Sequence, residues 1–147
     1  MALVVKNRRA NRDYFIEDRY EAGLVLKGTE IKSIRQGKVQ LADAFISLRN
    51  GEAYIKGMHI AQYDHGNRFN HEEDRDRKLL LHKHEIEKLQ RAQDRQGYTV
   101  IPLGLHLRNG LAKLEIATAK GKHLYDKRES EKARTMKREM EKALKDY

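Results

Sequence analysis

Seven histidines and 22 acidic residues give this chain material for metal binding or acid–base chemistry. The tightest groupings are His82-x-His84 and His71-Glu72-Glu73. The stretch His84-Glu85-Ile86-Glu87-Lys88 misses the two-histidine zinc motif by one residue. Lys88 stands where the second imidazole is needed, and an ammonium does not ligate. There is no Gly-x-x-x-x-Gly-Lys phosphate loop and no Gly-x-Ser-x-Gly elbow. The absence of cysteine excludes disulfides, thiolate zinc sites and thiol catalysis. A nuclease with histidine as general base stays open chemically, but no spacing supports it. The expectation is no catalytic residue, no metal and no cofactor.

Nucleic-acid contacts have better material. Tyr14, Phe15, Tyr20, Tyr54, Tyr63, Phe69 and Tyr125 are interleaved with Arg and Lys. Aromatic faces stack on unpaired bases while cations take phosphates. Most of these rings are expected in the core. Tyr63 and Phe69, flanking a polar stretch, and Tyr125, beside Lys122, Lys127 and Arg128, are the candidates for stacking.

The charge supports that chemistry. Lys plus Arg is 31 against 22 Asp plus Glu, a formal +9 over 147 residues. Residues 1–12 carry Lys6, Arg8, Arg9 and Arg12 with no acid, so +4. Residues 119–147 carry ten basic and six acidic residues, again +4. The middle is almost neutral. Two basic, flexible ends on a neutral body suit a polyanion, because each neutralised phosphate releases counterions. Simple solvation of charged ends is the plainer alternative. No apolar run approaches the ~18–20 residues of a membrane span. The opening Ala2-Leu3-Val4-Val5 is too short for a signal-peptide core, so a soluble cytoplasmic protein is expected.

These residues need a frame, and most of the frame reads as strands. Asn50-Gly51 lies between Ala44–Leu48 and Glu52–Ile55, and Asn109-Gly110 between Leu103–Leu107 and Leu111–Ile116. Asn-Gly between strand-like runs predicts a two-residue hairpin, since both turn positions need positive φ. Tyr14–Ile16, Glu21–Leu26 and Tyr98–Ile101 add strands. A helix is predicted from Gly28 to Gly37, with Thr29 as N-cap and Gly37 as terminator. A longer one runs from about Lys83 to Gln96, burying Ile86, Leu89 and Ala92 or Gln93. Gln62 to Lys78 is nearly all polar and predicts a long exposed loop. In Leu79-Leu80-Leu81 a strand cannot bury all three side chains, because its faces alternate. One leucine should therefore face a partner.

Beyond Asp126 there is no Gly or Pro, and Ala133, Met136, Met140, Leu144 and Tyr147 recur at steps of three and four. This is helix-capable sequence with a thin apolar stripe. Either it docks on the body or it folds only on a partner. The division expected is a domain over residues 1–125 and a basic tail over 126–147.

Several stretches together resemble one known family. Asn7-Arg8-Arg9-Ala10, Asp13-Tyr14, Tyr20-Glu21-Ala22-Gly23, Gly28-Thr29-Glu30-Ile31-Lys32-Ser33, Arg77-Lys78-Leu79-Leu80-Leu81, Gly121-Lys122 and Asp126-Lys127-Arg128 fall in the order of the small protein B family. Its members are SsrA-binding proteins, partners of transfer-messenger RNA in trans-translation. Arg12 replaces a common His, and Gln62 stands where Pro is frequent. The resemblance implies an α+β fold: an oligonucleotide-binding-like antiparallel β-barrel with two to three helices and a basic C-terminal tail. It implies RNA binding through Asn7, Glu21 and Leu80, with phosphate contacts from Lys6, Arg8, Arg9, Lys78, Lys120 and Lys122. It also implies that Tyr125, Asp126, Lys127 and Arg128 meet the ribosome in its decoding region and empty messenger channel. Elongation factor and alanyl-tRNA synthetase would act on the same RNA. The other readings are a general single-strand-binding barrel or structural ribosomal protein, and the nuclease.

Overall fold

The computed structural model describes residues 2–63 and 70–122. In chain order the elements are β1 (Ala2–Lys6), α1 (Arg9–Asp13), β2 (Tyr14–Leu24), α2 (Gly28–Arg35), β3 (Val39–Gln40), β4 (Phe45–Arg49), β5 (Glu52–Lys56), β6 (His59–Ile60), β7 (Arg77–Leu80), α3 (Lys83–Gln93), β8 (Tyr98–Arg108) and β9 (Leu111–Gly121). Seven strands form one sheet in the order β1-β8-β9-β2-β7-β5-β4, and β3 pairs with β6. Every pairing is antiparallel. This is the mostly-β architecture that the sequence led us to expect; of its three helices, α2 and α3 were expected and α1 was not. The edge strand β4 packs against β8, next to the opposite edge, so the sheet is rolled. Among the described residues no ladder joins the two edges. The barrel is thus partly open, and compatible with the oligonucleotide-binding type. No described helix is long and apolar enough to cross a membrane.

Both predicted hairpins form. Asn50 (φ 52°) with Gly51 (φ 74°), and Asn109 (φ 51°) with Gly110 (φ 78°), carry the paired positive φ of a type I′ turn. The predicted short runs fuse: one bulge between Ile16 and Arg19 makes β2 continuous, and one between Pro102 and Gly104 does the same for β8. The main core gathers Ile34, Ile46, Ile55, Leu79, Leu89, Leu114 and Ile116 between the rolled sheet and α2 and α3. A smaller cluster of Ala10, Ile101 and Ala119 lies on the other face of the sheet, where α1 covers it.

Four expectations need correction. The N-terminal basic run is not a flexible end, because Ala2–Lys6 pairs with β8 and Arg9–Asp13 is helical. Thr29 is not the cap of α2. The helix begins after Lys27, whose backbone N–H donates to Glu30 Oε1 at 2.8 Å, while the Thr29 hydroxyl lies 2.8 Å from His71 Nδ1. Gly37 does end this helix: its N–H donates to Ile34 O and that of Lys38 to Ser33 O. α3 stops at Gln93, three residues early, and Gly97 (φ 82°) completes the turn that follows.

The fourth correction concerns the polar stretch Gln62–Lys78. It is not wholly exposed: His71 is buried, and Arg77 begins β7 with its side chain fully inside. Arg77 Nε donates to Glu30 Oε2 at 2.6 Å. Its terminal nitrogens donate to the carbonyls of Met58 (2.5 Å), Glu73 (3.0 Å) and Glu72 (3.3 Å). Arg75 adds donations to both Glu30 oxygens, at 2.5 and 3.1 Å. Burial alone would raise the Glu30 carboxyl. The hydrogen bonds from Arg75, the Lys27 backbone and Arg77 outweigh it and hold the group below its ordinary value near 4.5. Burial lowers the Arg77 guanidinium, and Glu30 opposes that shift.

Removing one partner of such a pair strands the other charge in the core. Glu30→Ala should cost about 3–5 kcal/mol in urea unfolding. The pH dependence follows from the sign of the shift. With Glu30 depressed in the folded state, its contribution is complete above about pH 4.5 and is lost as pH falls below it. Glu30→Gln should flatten that part of the stability–pH curve.

Candidate nucleic-acid interface

The outward face of the sheet assembles residues far apart in sequence. One row crosses five strands: Leu3 on β1, His106 on β8, Lys113 on β9, Gly23 on β2 and Leu80 on β7. The adjacent row is Lys6, Gly104, Glu115 and Glu21. Paired residues share a face, so Lys6, Glu21 and Leu80 of the expected RNA set lie on one surface. Lys78, two residues before Leu80, faces the same way opposite Tyr54.

Alternation in β7 builds this surface. Arg77 and Leu79 point inward and are buried; Lys78 and Leu80 point out, and Leu80 is 57% exposed. Leu81 returns to pack on the core margin. Gly23 leaves room beside Leu80: a Cβ there would lie 3.4 Å from Leu80 Cβ and 3.7 Å from Lys113 Nζ. The result is an apolar side chain beside a shallow gap, with an ammonium next to it.

Acids on this face are mostly engaged. Arg19 donates to Glu115 at 3.2 Å. Glu52 accepts from the Tyr54 hydroxyl at 2.5 Å and from Lys78 at 3.4 Å. The Tyr54 hydroxyl and Lys78 hold the Glu52 carboxyl below its usual range, and Glu52 pushes the Tyr54 phenol up. Glu21 is exposed and forms no hydrogen bond or ion pair among the described residues. A carboxylate in that position is available to accept hydrogen bonds from a ligand's amino or imino groups, and it repels anions.

The other expected residues sit at the rim. Asn7 follows Lys6, three strand spacings, about 14 Å, from β2. It is buried, and its amide is used within the chain: Nδ2 donates to Pro102 O at 2.8 Å and Oδ1 accepts from Arg9 N–H at 3.3 Å. These bonds pin the junction of β1 and α1, leaving Arg8 and Arg9 exposed. Arg9 reaches Asp43 at 2.9 Å beside a cleft of about 530 Å³ lined also by Asp13, Tyr14, Phe45, Thr99 and Gly121. Lys120 lies on β9 opposite Phe15 and Tyr98. Lys122 Nζ donates to Asn11 O at 3.1 Å and lies 4.5 Å from the Phe15 ring centroid.

Tyr63 is partly buried with Lys32 Nζ 5.3 Å from its ring centroid. Phe69, Tyr125, Asp126, Lys127 and Arg128 lie outside the described residues. The sequence reading missed Lys113, Arg19 and His106 on the shared face; only strand register could have placed them there. The metal candidates do not converge. His71 is held between Thr29 and the Ile60 carbonyl, and His82 and His84 stack on each other at 5.5 Å. Among the described residues no group of three or more His, Cys, Asp or Glu could hold a metal ion.

Comparison with known proteins adds to this geometry. The family model described as SmpB protein matches residues 4–146. An SsrA-binding protein of Geotalea uraniireducens is 55% identical over 144 residues, covering 98% of this chain and 95% of the relative. One of Geobacillus kaustophilus is 53% identical, covering 98% and 93%. A solved chain described as "tmRNA-SmpB: a journey to the center of the bacterial ribosome" superposes with a TM-score of 0.70 at 44% identity, over 84% of this chain and 87% of that one. A match of this length, at this identity, over a fold of the same topology means that the chain belongs to the SmpB family.

Proposed function

We propose that the chain binds transfer-messenger RNA at its tRNA-like domain and delivers it to stalled ribosomes for trans-translation. The single observation that carries this reading is the outward sheet face. It sets an exposed Leu80 beside the gap at Gly23, with Glu21 and Lys113 around it. Leu80 packs on unstacked bases, Glu21 accepts base protons, and Lys6 and Lys78 take phosphates. Asn7 acts by position, holding Arg8 and Arg9 out toward the backbone of the RNA. Lys120, on the other face of the sheet, and Lys122 take phosphates at the end where β2 starts and β9 finishes. Family membership and the names of the relatives support the identity of the RNA.

The division of labour is a body over residues 1–125 that grips RNA and a tail over 126–147 that reads the ribosome. Tyr125, Asp126, Lys127 and Arg128 enter the decoding region, and the tail follows the messenger channel where no messenger fills it. Elongation factor and alanyl-tRNA synthetase act on the same RNA. The work is done in the cytoplasm without bond-making or cofactor, so the chain is an adaptor and not an enzyme. Incubation with labelled tRNA-like RNA and Mg²⁺ should leave the RNA intact; discrete cleavage products would restore the nuclease reading.

Two neighbouring leucines separate binding from folding. Leu80→Ala should weaken binding to the tRNA-like domain about tenfold, roughly the worth of one base contact, with the melting temperature unchanged. Leu79→Ala should instead lower stability by about 2–5 kcal/mol. Equal effects of the two on affinity would contradict the proposed surface. Glu21→Ala should weaken the tRNA-like RNA more than a random single strand of equal length.

Removal of residues 126–147 should leave RNA affinity nearly intact and abolish ribosome rescue. The logarithm of affinity should fall with the logarithm of salt by roughly 0.7–0.9 per phosphate contacted. Lys78→Gln should reduce that slope by about one contact.

A further inference from the structure

The outward row that carries Leu80 and Gly23 does not end at Lys113. Its next positions are His106 on β8 and Leu3 on β1. On either side of His106 along the strand, Leu105 is buried and Leu107 packs on the core margin, so alternation turns the imidazole out. His106 is half-buried and forms no hydrogen bond or ion pair among the described residues. Leu3 beside it is 62% exposed. Neither side chain belongs to a core cluster.

The charge around this imidazole is one-sided. Lys113 stands directly opposite on β9. One row on, Lys6 of β1 and Glu115 of β9 flank Gly104, and Arg108 follows on the same face of β8. Arg35 of α2 reaches the hairpin turn at Gly110. α3 and β4 pack on the inner side of β8, and α1 covers the outer side only farther back, at Ile101. The single acid in this group, Glu115, already accepts from Arg19 at 3.2 Å. Glu21 lies beyond it on β2, two strand spacings or about 10 Å from β8. An imidazolium at this place has no counter-ion inside the chain. A phosphate laid across Lys113 and Lys6 supplies one, and the ring N–H donates to it. Histidine is the side chain whose ordinary titration falls between pH 5 and 8. Bound phosphate favours the charged ring, and by reciprocity the charged ring favours bound phosphate.

We infer that His106 is a proton-linked phosphate contact, so that the RNA-binding face gains one charge, and RNA affinity, as pH falls from 8 toward 5.5. The inference rests on the RNA-binding reading above and deepens it by giving that same face a pH-graded grip.

The test is equilibrium binding of the full chain to the isolated tRNA-like domain of transfer-messenger RNA, from pH 8 to pH 5.5 at constant ionic strength. That range stays above the one in which Glu30 is protonated, so the core pair is intact throughout. His106→Gln removes the titrating ring, and His106→Lys keeps a charge there at every pH. The remaining histidines are the same in all three proteins, and their contribution cancels in the comparison. Between the two limits the unsubstituted protein should gain about two- to fivefold more affinity than His106→Gln, the worth of one exposed charge pair. His106→Lys should gain no more than His106→Gln, and should bind more tightly than it by that same factor at pH 8. The log–log salt slope of the unsubstituted protein should steepen on acidification by roughly 0.7–0.9 more than that of His106→Gln. Equal pH dependence in the unsubstituted protein and His106→Gln overturns the inference, and a uniform weakening by the Gln variant would leave His106 a neutral contact only. Should circular dichroism show His106→Gln unfolded, His106→Lys decides against the unsubstituted protein, and an equal gain in those two overturns the inference. Failure of the unsubstituted protein to bind the tRNA-like RNA at either pH sinks the proposed function. Binding without a gain that depends on His106 sinks only the proton linkage.

Discussion

A buried arginine with a buried carboxylate sets the geometry of this protein. Arg77 and Glu30 are both fully enclosed, and loss of the Glu30 carboxylate would strand the Arg77 charge in the core, while Arg75 also holds Glu30 in place. Their bond ties α2 to the first residue of β7, and the Arg77 fork also gathers the carbonyls of Met58, Glu72 and Glu73. β7 has only four residues. Its two pairings with β2 and three with β5 are too few to fix a register by themselves. With Arg77 locked inside, alternation leaves no freedom: Leu79 enters the core while Lys78 and Leu80 face out. A slip of one residue would bury Lys78 and Leu80 and erase the surface. An ion pair inside the fold thus specifies which side chains of β7 are offered on its outer surface.

The sheet converts that local choice into a site. Twisted antiparallel strands bring β1, β8, β9, β2 and β7 side by side, so that residues over a hundred positions apart in sequence share one row. Phosphate attraction would be supplied by almost any arrangement of 31 basic residues. Selectivity for a shape needs fixed, unlike groups: an apolar contact, an acceptor and cations at set spacings. The exposed face of β2 and β7 has all three within a few strand spacings.

Much of this was legible before any coordinates. Asn50-Gly51 and Asn109-Gly110 announce their hairpins, because few other pairs tolerate two positive φ values. Leu79-Leu80-Leu81 announces an exposed leucine, because strand geometry forbids burying the whole run. What failed to show has physical reasons. Arg77 sits in a polar stretch, and its burial depends on Glu30, 47 residues away; charge next to charge reads as solvent-facing without the partner in view. Ala2–Lys6 is too short and basic-flanked to announce a strand, and it exists through its ladder to β8. Thr29 has the right chemistry for a cap but finds His71 instead. Asn7 resembles a base reader by type, yet its amide is spent on Pro102 and Arg9. Local signals set turns and alternation; long-range pairing decides which polar groups are free for a ligand.

The most direct measurement is to sequence the RNA retained by the native, full-length protein when it is purified from cells at physiological salt. The account holds that one species with a tRNA-shaped end, transfer-messenger RNA, dominates far beyond its cellular abundance. Recovery of cellular RNAs simply in proportion to their amounts would show that basic charge alone does the binding, and would contradict a shape-reading surface held by Arg77 and Glu30.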